Sequence, residues 1–215
     1  MARVRVRQHV NPLSSHYRQP IPVPTWEKYY HNVAQPLYLD IGCGWGEFLL
    51  EMAKIQPNIN FLGVEIRKPL VEQANFARDE LGLKNLHFLS GNINPSLSIL
   101  LDSLPPQVLH YVTIQFPDPW FKKRHAKRRV VQPELVEGLA NYLVNEGRVF
   151  LQSDVKMVAE EMRDRFQEHS AFQLLHDEEW LSFNPLPVGT NREEMTLSQN
   201  QPVYRALYEK RSLKV

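Results

Sequence analysis

The chain has 215 residues, 43% of them hydrophobic and 23% charged, with a formal net charge of +1. That length suits one domain with a substantial core and is cramped for two; no apolar run approaches the roughly 20 residues of a membrane helix, so a soluble protein is expected. The single cysteine, Cys43, excludes an internal disulfide and a thiolate zinc site, and the N-terminus lacks the apolar segment of a secretory signal, which together predict a reducing, cytoplasmic setting and no metal.

With so little net charge, affinity for a polyanion has to come from how the charge is distributed. Arg3, Arg5, Arg7 and Arg18 all precede the first acidic residue, Glu27, and residues 1–36 carry Pro12, Pro20, Pro22, Pro24 and Pro36. Residues 1–36 are therefore expected to be an irregular basic arm, and 37–215 the folded domain. From Leu37 onward short apolar runs alternate with helical patterns, as in βαβ units around a mostly parallel sheet. Strands are expected at Leu37–Ile41, Asn60–Glu65, Leu86–Leu89, Val108–Gln115, Arg148–Ser153, Phe172–His176 and Val203–Tyr208. Helices are expected at Glu47–Ile55, Arg67–Leu81, Pro133–Leu143 and Val155–Glu168; the last carries Val155, Val158, Met162 and Phe166 at helical spacing, a stripe that docks on a sheet.

The first strand runs into the first helix through DIGCGWGE, Asp40 to Glu47. Glycines at 42, 44 and 46 permit positive φ and close approach of a ligand to the backbone at a helix N-terminus. The spacing is GxGxG, and Glu47 stands where dinucleotide binders need a small residue, which is hostile to a pyrophosphate. Glu65 closes the next strand in FLGVE, where a carboxylate can accept both hydroxyls of a ribose. These features fit an adenosine without phosphates, with Asp40, Gly42, Gly44 and Glu65 as contacts and Cys43 and Trp45 as packing residues of the turn. After the third strand, Asn92 can meet the adenine edge and Ile93 its face, although a plain Gly-Asn turn explains the same residues.

The fourth strand is followed by QFPDPWFKKRHAKRR, residues 115 to 129. Pro117 and Pro119 fix the backbone on both sides of Asp118, at the carboxyl edge where open α/β sheets bind ligands, so the carboxylate is stiffly held. Six cations follow at once: Lys122, Lys123, Arg124, Lys127, Arg128 and Arg129.

On Asp40–Gly46, Phe61–Glu65, Phe116–Arg129 with Gln132-Pro133, Asp154 and Thr190–Glu193, the chain resembles the bacterial tRNA (guanine-N7)-methyltransferases, class I enzymes that use S-adenosylmethionine. The resemblance runs from about Leu37 to Tyr208, and FPDPW followed by KKRHAKRR carries most of it. It implies a Rossmann-like α/β fold, a seven-stranded mostly parallel sheet with helices on both faces and an antiparallel last strand. It further implies S-adenosylmethionine as methyl donor and a guanine in the variable region of tRNA as acceptor; a monomer or homodimer is expected. Within it Asp118 is the catalytic residue, and Lys122, Asp154, Thr190, Asn191, Arg192 and Glu193 belong to the substrate site. Lys123, Arg124, His125, Lys127, Arg128 and Arg129 serve RNA, with His125 and Trp120 available to stack on bases.

The chemistry agrees. An aspartate accepts both N1–H and the exocyclic amine of guanine, and N7 needs no base to unmask its lone pair. Asp118 is then expected to orient the purine and stabilise its growing positive charge rather than remove a proton. Asp154, just before a helix, is equally a helix N-cap, and Asn184 to Asn200 reads as a polar loop. Asn92, Asp40 and Arg192 depart from the family's usual Asp, Glu and aromatic residue. The alternatives are a methyltransferase acting on an exocyclic amine, whose DPPY-type element Pro117-Asp118-Pro119-Trp120 resembles, and a non-catalytic RNA-binding protein on the same fold. An NAD-dependent oxidoreductase is disfavoured by Glu47.

Overall fold

A computed structural model describes residues 10–212; Arg3, Arg5 and Arg7 of the basic arm lie outside the described residues. Seven strands form one sheet: β1 Leu37–Ile41, β2 Asn60–Glu65, β3 Leu86–Ser90, β4 Leu109–Gln115, β5 Arg148–Ser153, β6 Phe172–Leu174 and β7 Tyr204–Lys210, in the order β3-β2-β1-β4-β5-β7-β6. The first five are parallel, and β7 runs antiparallel to both β5 and β6. Strand order reverses outward from β1 between β2 and β4, which opens a crevice at the carboxyl ends of the strands. β1 and β2 are buried throughout because helices cover both faces.

Alternate residues of the strands feed two cores. Leu39, Ile41, Val64, Val112, Ile114, Val149 and Leu151 pack with α3 Leu97–Asp102, α4 Pro133–Tyr142 and α5 Lys156–Gln167. On the other face Tyr38, Phe61 and Phe88 pack with α1 Glu47–Ile55 and α2 Lys68–Glu80, and Leu186 and Val188 join them. A sixth helix, α6 Asn191–Ser198, meets the start of α1 through Asn191 and Glu47.

The expected strands all form, with β6 ending at Leu174 because Leu175 bonds to the edge of β7 through its amide alone. Two helices were not expected. The short α3 lies between β3 and β4, and α6 occupies part of the supposed polar loop. Residues 10–36 are irregular apart from 3-10 turns at Ser15–Arg18 and Trp26–Lys28. They are nevertheless packed, since Ile21, Trp26 and Tyr30 are buried in the first core, so the compact unit starts upstream of Leu37. Trp26 Nε1 donates to Ser103 Oγ at 2.8 Å and Tyr30 Oη to the Phe61 carbonyl at 3.0 Å.

Candidate active site

Between β1 and α1, Gly42, Gly44 and Gly46 all have positive φ, at 84°, 57° and 77°. A Cβ at Gly42 or Gly44 would meet no atom within 4 Å, so the space above them is open, whereas one at Gly46 would strike Phe88 at 2.6 Å. The first two glycines thus leave room for a ligand and the third serves packing. Cys43 packs as expected, its Sγ against the backbone of Gly63, but Trp45 is 45% exposed and is not a packing residue. Asp40 is not the cleft contact expected of it either. It is buried beneath the turn, takes a hydrogen bond from Thr113 Oγ1 at 2.7 Å, and has its pKa pushed up to about 6 by burial.

Glu65, at the end of β2, is 4% exposed and heavily bonded. Its Oε1 accepts from the Arg67 amide at 3.0 Å and Nε at 2.9 Å, and its Oε2 from the Gly44 amide at 3.1 Å and Arg67 Nη2 at 3.0 Å. Arg67 was not expected in the site; the Glu-x-Arg spacing at a strand end was its one visible signal. Gly42, Glu65, Arg67, Asn92 and Ile93 line one cleft together with Asp118, Trp120 and Arg128. Its wall is completed by Val10 and Pro12, so the arm reaches the cleft, where Asn92 Nδ2 donates to the Pro12 carbonyl at 3.4 Å.

The loop bearing Asp118 is strained at both ends. Phe116 and Trp120 have φ of 48° and 43°, a region non-glycine residues rarely enter, and each flanks the Pro-Asp-Pro unit. The Phe116 amide donates to the Gln152 carbonyl at 2.8 Å. On the other side Arg129 holds the loop: Nε donates to the Pro119 carbonyl at 2.9 Å, Nη2 to that of Trp120 at 3.2 Å, and Nη1 pairs with Glu161 of α5. Its side chain is 10% exposed. The expectation that Arg129 meets RNA is therefore corrected: the guanidinium is spent inside the protein, on the carbonyls that follow Asp118.

The other cations divide by exposure. Residues Lys123–Arg128 form a 3-10 turn on which Lys122, Lys123, Arg124 and Lys127 face solvent. Arg128 lies over the Trp120 ring, 4.9 Å from its centroid, and His125 meets the same ring edge-on at 5.7 Å. Trp120 and His125 thus stack on protein partners rather than standing free for bases. Desolvation and the neighbouring charges of Arg128, Arg124 and Lys122 lower the His125 pKa.

Asp154 and α6 stand next to each other, outside the residues that line the cleft, with α6 tied to Glu47 at the start of α1. Asp154 is not the helix cap: Val155 holds that position, its amide bonded to Ser153 Oγ at 3.1 Å, while Asp154 Oδ2 accepts from Arg192 Nε at 3.0 Å. Thr190 caps α6, its Oγ1 accepting from the Glu193 amide at 3.1 Å. Glu193 is 3% exposed; Arg205 donates to one oxygen at 3.1 and 2.6 Å and Asn184 to the other at 2.6 Å. Asn191 bonds Glu47. The Thr190–Glu193 element is thus a braced helix start, with Thr190 and Glu193 committed internally and Asn191 and Arg192 exposed on the side of the glycine turn and β5. Across β4, β5 and β7 runs a buried polar row, where Gln152 Nε2 donates to Gln115 Oε1 at 2.8 Å and Gln152 is in register with Arg205.

A hollow of about 1010 Å³ lies at the opposite edge of the sheet between Leu104–Leu109 and Asn145–Arg148 and holds none of these groups. No cluster of three or more potential metal ligands occurs among the described residues, and no helix there is long and apolar enough to cross a membrane.

A family profile described as "Putative methyltransferase" matches residues 34–206. The chain is 59% identical over 208 residues to a tRNA (guanine-N(7)-)-methyltransferase of Microcystis aeruginosa, covering 97% of this chain and 99% of that one. It is 60% identical over 207 residues to the protein of the same name from Trichormus variabilis, covering 96% of each. Among solved structures, the precorrin-6Y C5,15-methyltransferase of Geobacter metallireducens superposes with a TM-score of 0.54 at 12% identity, over 88% of this chain and 94% of that one, a likeness of fold alone.

Proposed function

The chain belongs to the family of tRNA (guanine-N(7)-)-methyltransferases, and from that premise we propose that its carboxyl-edge cleft binds S-adenosylmethionine on the β1–β3 side and presents a tRNA guanine to it at Asp118. The reaction is transfer of a methyl group to N7 of guanine in tRNA. The residues present fit the cofactor. Open space over Gly42 and Gly44 admits a ligand against the backbone, Glu65 is an acid of the right kind for a ribose, and Ile93 offers an apolar face for a purine. Glu47 engages Asn191, which leaves no cradle for a pyrophosphate.

When bound, the cofactor supplies an electrophilic methyl on a sulfonium. The lone pair of guanine N7 is already free, so no residue of the chain would need to take a proton. What remains for the protein is alignment and charge. Asp118 accepts from the N1–H and amine of the guanine and faces the purine as it becomes cationic. Asp154, paired with Arg192, is carried over from the family as a substrate contact. Lys122, Lys123, Arg124 and Lys127 attract the backbone phosphates around that base. A position in the variable region of tRNA is the family's usual target and is carried over on that ground.

One observation carries this reading: a strained, proline-braced Asp118 shares a single cleft with Gly42, Glu65, Asn92 and Ile93. Incubation with labelled S-adenosylmethionine and unmodified tRNA, followed by nucleoside mass spectrometry and site mapping, is expected to yield 7-methylguanosine in the variable region. Asp118→Asn should lower kcat by about 10²–10³-fold, the scale for losing one electrostatic contact to the transition state. An N2- or N6-methyl product would mean an exocyclic amine is the acceptor and would overturn the proposal.

A further inference from the structure

Glu65 holds more donors than a ribose-binding acid can keep. A carboxylate offers about four lone-pair sites, and all are taken: the Arg67 amide and Nε on Oε1, the Gly44 amide and Arg67 Nη2 on Oε2. No acceptor position is left for a sugar diol. Two of the donors are backbone amides, set by the end of β2 and by the glycine turn. The other two belong to one guanidinium on a rotatable side chain that is 28% exposed, and only that group can leave.

We infer that Arg67 is a movable counter-ion: the cofactor's ribose hydroxyls displace its guanidinium from Glu65, and the freed cation binds a phosphodiester beside the target guanosine. This rests on reading the cleft as the cofactor site. Arg67 lines the same cleft as Asp118, Trp120 and Arg128, so a short swing leaves it on the RNA side. Burial lowers the guanidinium's pKa, but the bond and field of Glu65 and the more distant Asp118 raise it by more, and it stays charged. A lasting pair with Asp118 would occupy the carboxylate that meets the purine, whereas an RNA phosphodiester offers a full charge and two oxygens matched to the guanidinium fork. Cofactor binding then adds one cation to the RNA site, and by linkage RNA binding favours the cofactor-bound chain equally.

The test titrates S-adenosylhomocysteine and tRNA, separately and together, into the wild-type chain, R67Q and R67K over a series of salt concentrations. In the wild type S-adenosylhomocysteine should tighten tRNA binding about fivefold or more. It should also steepen the slope of log K against log salt by about 0.7–0.9, one further phosphate contact. R67Q, with nothing to displace, should bind S-adenosylhomocysteine about fivefold more tightly than wild type and lose both the coupling and the added slope. R67K keeps the charge without the fork and should bind S-adenosylhomocysteine more tightly than wild type while retaining coupling, so it decides the matter alone should R67Q not fold. Weaker S-adenosylhomocysteine binding by the variants, or coupling that survives in R67Q, would make Arg67 a fixed support of Glu65 and overturn the inference. A wild-type chain that binds no S-adenosylhomocysteine would instead overturn the assignment of the cleft, and the first titration distinguishes the two failures.

Discussion

Replacing Arg129 by alanine separates two roles that a basic run makes look alike. The guanidinium, 10% exposed, makes a charged bond to Glu161 and donates to the carbonyls of Pro119 and Trp120. Hydrogen bonds from a charged group contribute about 1.5–3 kcal/mol each and are not additive. Glu161 keeps Arg165 at 3.0 Å, so its charge is not orphaned. The expected loss of stability is about 2–4 kcal/mol, measured by chemical denaturation. The larger effect falls on rate. Released from Arg129, the strained Phe116–Trp120 segment relaxes and carries Asp118 with it, and a shift of about 1 Å costs on the order of 10²-fold in kcat. Initial rates at saturating cofactor and tRNA should show that fall, while tRNA affinity and its salt dependence stay close to wild type. If Arg129→Ala kept its kcat and instead lost tRNA affinity with a shallower salt slope, the guanidinium would be a phosphate ligand and the reasoning from its burial would be wrong.

The exposed cations should behave in the opposite way: Lys123→Ala, Arg124→Ala and Lys127→Ala combined are expected to reduce the salt slope of tRNA binding by about 0.7–0.9 for each phosphate no longer neutralised, with kcat at saturation and S-adenosylhomocysteine binding unchanged. Asp40, with its pKa raised to about 6 by burial, favours the folded state when protonated. That contribution is complete below the unfolded pKa near 4 and fades as pH rises through 6, about 3 kcal/mol in all. Urea titrations of wild type and Asp40→Asn at pH 4.5 and 8 should therefore show the variant gaining relative stability at pH 8, and parallel pH dependences would contradict it. Glu193→Ala leaves Arg205 buried and unpaired and should cost about 3–5 kcal/mol. Thr190→Ala, the loss of a cap, should cost about 1 kcal/mol; thermal melts check both, and an unchanged melting temperature for Glu193→Ala would mean that the acid is free to meet substrate after all.

The parallel strands and the longer helices are legible because their signals are local. Leu37–Ile41 and Asn60–Glu65 are short apolar runs between turn residues, and Val158, Met162 and Phe166 recur at helical spacing. α6 was not legible because it inverts the usual pattern: it buries Glu193 and Thr196 and exposes Met195 and Leu197, so no apolar stripe announces it. What stabilises it is the Arg205 partner on β7, twelve positions away. The packed arm is hidden for a like reason, since proline-rich sequence with no periodicity gives no hint that Trp26 and Tyr30 are core residues.

Near the site the division is finer. A stiff carboxylate between prolines, a glycine turn with an acid closing the following strand, and a dense run of cations are properties of the chain itself, because proline and glycine act on their own backbone and charges can be counted. Which carboxylates are free, and which cations face outward, is not. Lys127, Arg128 and Arg129 are consecutive and chemically alike, yet one faces solvent, one lies over Trp120 and one is tied to Glu161, 32 positions along on α5. Glu65 likewise reads as an open acid, and it is the folding of Gly44 and Arg67 onto it that fills its lone pairs. Burial and partnership depend on what the rest of the chain brings within about 3 Å, the reach of a hydrogen bond, and only the tertiary structure decides that.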